Sequence, residues 1–73
     1  MARKVYRVVP HQGNWAVTHN GYVVSTHILK ENAVTAGQTV AKANQPSQLV
    51  VHRADGTIEY EYTYGSDPFP PAG

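Results

Sequence analysis

KENAVTAGQTVAKAN, residues 30 to 44, is the stretch that decides how this chain folds. Ala33, Gly37, Val40 and Ala41 recur at helical spacing, with Lys30, Gln38 and Lys42 left for water. The pattern predicts a single helix over about residues 30 to 43. Its end is marked twice: Asn44 can take a left-handed C-terminal conformation, and Pro46 cannot continue the helix. Its start is not marked, because Ile28 and Leu29 stand where a Ser, Thr or Asp cap is expected. The stripe itself is built from small residues, so the helix is expected to lie close to its support.

On either side of the helix the period changes to two. Lys4 to Val9 is rich in β-branched and aromatic residues, and Pro10 with Gly13 then breaks the run. Asn14 to Thr18 and Tyr22 to Thr26 flank Asn20-Gly21, the dipeptide that suits a type I′ hairpin turn. Beyond the helix, Ser47 to Arg53 and Thr57 to Tyr64 are joined through Ala54-Asp55-Gly56. In the last strand Ile58, Tyr60, Tyr62 and Tyr64 alternate with Thr57, Glu59, Glu61 and Thr63, which predicts a tyrosine ladder on one face and carboxylates on the other. The expected fold is α+β: a small antiparallel sheet of about five strands, in the order βββαββ, with one helix packed on one face. Trp15 and the tyrosines are expected beneath Ala33, Gly37 and Val40. Residues 1 to 65 form the expected domain, and residues 66 to 73 a Pro-rich tail docked on the sheet.

Size and composition narrow the function. A 73-residue chain forms one domain with a modest core. It has no cysteine, which removes disulfides and thiolate metal sites and fits a reducing, cytoplasmic setting. A net charge of +1 gives no strong pull toward nucleic acid or anionic membrane. The opening MARKVYRVV is basic, but its apolar run is too short for a signal peptide or a membrane span.

Pro10, Gly13-Asn14-Trp15, Val17, Gly21, the alanine-rich helix ending in Ala41-Lys42, LVVHRADGTI (Leu49 to Ile58) and the terminal YGSDPFPPAG form a recognisable set. Together they resemble the bacterial domain of unknown function 2188 family over almost the whole chain. That family has no established activity, so the resemblance implies a fold and no chemistry.

No catalytic signature is present: there is no G-x-S-x-G, no phosphate-binding glycine loop and no H-E-x-x-H. His11, His19, His27 and His52 lack a ligand spacing that would converge on one ion, so no metal or cofactor is expected. Two binding readings remain. Valine pairs at Val8-Val9, Val23-Val24 and Val50-Val51 put apolar side chains on both faces of the sheet, where one helix can cover only one. This points to a protein partner or a homodimer, or to the tail acting as a lid through Phe69, Pro70 and Pro71. The alternative is nucleic-acid binding through Arg7, His52, Arg53 and the sheet face. Arg7, His52, Arg53, Phe69, Pro70 and Pro71 are therefore the candidate partner surface.

Overall fold

The computed structural model describes residues 3–65. Five strands and one helix follow one another as β1 (Lys4–His11), β2 (Asn14–His19), β3 (Tyr22–His27), α1 (Lys30–Ala43), β4 (Ser47–His52) and β5 (Ile58–Tyr64). They form one sheet in the order β3-β2-β1-β4-β5. The order βββαββ and the single helix are as expected, but the sheet is mixed. β1 and β4 pair in parallel, with Tyr6 beside Leu49 and Val8 beside Val51, while the other three pairs are antiparallel. The physical reason lies in the helix: α1 carries the chain back across the sheet, so β4 starts at the end where β1 starts and runs alongside it.

Two-residue turns close the first two hairpins. Gln12-Gly13 and Asn20-Gly21 all have positive φ, as a type I′ turn requires. The first strand runs two residues further than its composition suggests, because Pro10 sits opposite Trp15 inside the β1–β2 ladder. β4 pairs with β1 only as far as Val8, so the missing N–H of Pro10 falls where no neighbour on that side needs it.

The helix spans the residues its periodicity gives. Leu29 is its N-cap and makes no side-chain cap bond; its carbonyl accepts from the amides of Asn32 and Ala33 instead. At the other end Asn44 is not left-handed, with φ of −127°. It caps the helix by hydrogen bonding: its amide donates to Ala41 O and its side chain to Val40 O. The buried Ser47 hydroxyl also donates to Ala41 O, tying the start of β4 to the last turn.

Tyr6, Val8, Val17, Leu49 and Val51 meet Ala33 and Ala41 to form the core, with Trp15, Val34, Val40 and Tyr64 packed at its margin. Gly37 lies directly over Leu49 and Val8: a Cβ at this position would stand 2.8 Å from Leu49 Cδ1 and 3.3 Å from Val8 Cγ2. The close approach predicted for this glycine is present, but its floor is aliphatic. Tyr60 and Tyr62 are outside it and remain 38% and 37% exposed, because β5 is an edge strand and the helix sits over the centre of the sheet.

A register shift between Val51 and His52 changes the faces of β5 as well. Tyr60 pairs with Val51 and Ile58 with His52, leaving Glu59 as the extra residue. Glu59 reaches α1, where it forms an ion pair with Lys30. Glu61 hydrogen-bonds Gln48 on the far face. The two carboxylates predicted to share a face are thus separated, and Ile58 leaves the face of the tyrosines.

Candidate functional site

Three surfaces gather the side chains that could act on something else. The first is the far face, turned away from α1. Arg7 Nη1 donates to His52 Nε2 at 3.1 Å, and His52 Nδ1 lies 2.8 Å from Gly56 O. A carbonyl can only accept, so Nδ1 carries the proton and Nε2 is free to accept from the guanidinium. Arg7 and His52 are therefore brought together, by the β1–β4 pairing that sets Arg7 beside Val50. Arg53 is not part of this pair. Its guanidinium donates to Thr57 Oγ1 and Ile58 O, across the turn it begins. Asp55 completes that turn by accepting from both the amide and the hydroxyl of Thr57, and these bonds hold its carboxyl below the usual aspartate range. Phe69, Pro70 and Pro71 lie outside the described residues, as does the whole proposed tail.

The second surface is a broad cleft of about 550 Å³ between the first turns of α1 and β5, lined by Lys30, Glu31, Val34, Thr35, Glu59 and Tyr60. Lys30 closes one end of it, paired with Glu59 and lying 5.1 Å from the centroid of the Trp15 ring. Partial burial raises the pKa of Tyr60, helped by the neighbouring Tyr62 and Glu59. Burial also raises that of Tyr64, which stacks on Tyr62 at 6.2 Å. Tyr60, Tyr62 and Tyr64 do form a ladder on the helix side, and Tyr60 is the member of it that lines this groove.

The third surface is the free edge of β3 and its exit to the helix. Tyr22, Val23, Val24, Ile28 and Leu29 are 77%, 47%, 49%, 80% and 52% exposed. No Asp, Glu, Lys, Arg or Pro occurs in Tyr22–His27.

Three of the four histidines are engaged separately. His19 stacks on Tyr6 with centroids 4.4 Å apart and donates from Nδ1 to Val5 O, His27 shares a hydrogen bond with the Ser25 hydroxyl, and His52 is held as described. Among the described residues no three metal-ligating side chains gather. Likewise no helix is long and apolar enough to cross a membrane.

The sequence profile of the family described as "uncharacterized protein conserved in bacteria (DUF2188)" matches residues 6–64, from the first core tyrosine to the last residue of β5. The chain belongs to the DUF2188 family. No curated protein and no solved structure matches this DUF2188 domain. The match covers the residues of all three surfaces and leaves out only Lys4 and Val5 among the strand residues. Of these surfaces, sequence reasoning named the first and missed the third. A signal for the DUF2188 edge was present in Tyr22-Val23-Val24 and Ile28-Leu29, but its meaning depends on β3 lying outermost.

Proposed function

We propose that this DUF2188 domain is a non-catalytic protein-binding or self-assembly module. The observation that carries the reading is the contrast between its two sheet edges. β5 holds Glu59 and Glu61, charges of the kind that discourage unwanted strand pairing. β3 has no such guard and adds five exposed apolar side chains along its length and exit. A domain this small leaves such a strip in water at a cost unless something covers it.

The nucleic-acid reading has less behind it. Base stacking and phosphate contact need rings and cations on one surface. Here Tyr60, Tyr62 and Tyr64 lie on the helix side, while Arg7 is on the far face, occupied with His52 and flanked in the sheet by Val50 and, one strand on, Glu61.

The test compares the parent with Val24→Lys, which guards the edge without touching the core. Partners retained from a lysate of the native host, identified by mass spectrometry, and mass by light scattering are measured for both. A partner or a dimer lost on substitution supports the module. No loss, together with salt-sensitive gel retardation of mixed DNA and RNA, refutes it in favour of nucleic-acid binding.

A further inference from the structure

We infer that the occupant of the β3 edge is β3 of a second copy, paired antiparallel about a two-fold axis at Ser25, so that two five-stranded sheets become one. This rests on the assembly reading above and commits it to a partner and a register.

Charge favours this partner. An antiparallel self-pairing of β3 brings no formal charges together, because Tyr22–His27 contains no acidic residue, lysine or arginine. The same operation on β5 centred on Glu61 would set that carboxylate against its own copy, which is destabilising. Of the two edges, β3 alone carries no formal charge in any register.

Strand length selects the register, because Ser25 is the midpoint of the five residues that pair regularly with β2, and the side-chain faces agree with it. In β3, Tyr22, Ser25 and His27 share the helix face, opposite His19, Val17 and Trp15 of β2. Val23 and Thr26 share the far face, opposite Thr18 and Ala16. Val24 is the extra residue of the bulge between them. Residues directly opposed in an antiparallel ladder must point to the same face. With Ser25 on the axis, Val23 meets Thr26 of the other copy and Tyr22 meets His27, so every pair matches. Without the bulge, the pairs Val23 with Thr26 and Tyr22 with His27 would join opposite faces. The bulge therefore sets which residues meet: with Val24 set aside, the five remaining positions of β3 are symmetric about Ser25.

The exposed side chains also find cover in this arrangement. Tyr22, 77% exposed at one end of β3, is set against His27 at the other end of the second copy, Val23, 47% exposed, is set against Thr26, and the two-fold repeats both pairs. The ladder is only six residues long, so association should depend on concentration.

Light scattering of the full chain over a dilution series tests this. The expected mass rises toward twice that of the chain as concentration increases. Val23→Glu and Thr26→Lys each set a charge against an uncharged neighbour at both symmetry-related pairs and should weaken association severalfold, on the scale of two altered cross-strand pairs. The chain carrying both substitutions should recover, because each introduced carboxylate then faces an introduced ammonium across the axis. Both positions are solvent-exposed, and circular dichroism checks that each variant is folded. A single-chain mass throughout overturns self-pairing, as does a double variant no better than the singles, or a dimer indifferent to all three. If the chain is a monomer yet Val24→Lys still loses a host partner, self-pairing alone has failed; if nothing is lost either, the binding reading fails with it.

Discussion

Gly37→Ala opposes two effects whose sizes are known separately. Alanine is favoured over glycine in a helix by about 0.8–1.0 kcal/mol, so on propensity alone the substitution should stabilise. The added methyl, however, would stand 2.8 Å from Leu49 Cδ1, with Leu49 Cδ2 and Val8 Cγ2 both at 3.3 Å. Leu49 and Val8 are fully buried, so neither has open space into which to swing. Overpacking of this kind costs about 1–3 kcal/mol. The net expectation is a loss of about 0–2 kcal/mol, read as a Tm lower by up to about 16 °C at this chain length. Leu49→Val supplies the control. It removes the δ-methyls for about 1 kcal/mol of lost burial. In that background the only remaining close contact is Val8 Cγ2 at 3.3 Å, so Gly37→Ala should cost less than in the parent and can stabilise by up to about 1 kcal/mol. Thermal and urea unfolding of the four proteins, followed by circular dichroism, gives the coupling directly. A Gly37→Ala protein more stable than the parent, or one whose effect is the same in both backgrounds, would show that the helix does not rest on Leu49.

Gly65→Ala should destabilise by about 1–3 kcal/mol in urea unfolding, since its φ is +94° and its Cβ would lie 2.9 Å from Pro46 Cα, backbone that cannot yield. Ser47→Ala should cost about 1 kcal/mol, the usual worth of a buried hydrogen bond, and should speed amide exchange in the last turn of α1 first. Because the carboxyl of Asp55 is held low when folded, its bonds to Thr57 contribute above the ordinary aspartate pKa and fade as pH falls through the folded value; the Thr57 amide shift should therefore titrate at a pH below the usual aspartate range, and Asp55→Ala should abolish that titration. Tyr60 and Tyr64 ionise late, so their neutral forms favour the fold until pH rises through their raised values; ultraviolet titration should show an alkaline phase that shrinks in Tyr64→Phe.

What the sequence makes legible here is local. Residues 30–43 are helical because their spacing leaves a single face to bury, and the Asn20-Gly21 turn follows from backbone freedom alone. The parallel β1–β4 pair is not written in either strand, since Val-rich runs such as Val50-Val51 and Val8-Val9 suit a central strand in either direction. Nor is the displacement of Glu59. IEYEYTY alternates without fault, and the slip is made next door, where Arg53 and Thr57 close the turn through two backbone and side-chain bonds. The candidate surface divides in the same way. Arg7 and His52 could be named as polar strand residues but not as neighbours, Arg53 looked available and is spent on its own hairpin, and the β3 edge is invisible until strand order is known.

The central parallel pair also bears on how the chain is made. Of this domain's five strands β1 is made first, yet the partner that completes it lies about forty residues further along. In between, the β1–β2–β3 hairpins can form from short-range contacts, while the other side of β1 waits with its backbone groups unpaired until α1 and β4 have left the exit tunnel. For that interval the nascent chain has two exposed flanks, β1 and β3, and every slow codon between residues 12 and 46 prolongs the exposure. Docking of β4 against β1 closes the inner flank and the β5 hairpin then completes the sheet, so synonymous changes before that point should alter yield without altering the protein.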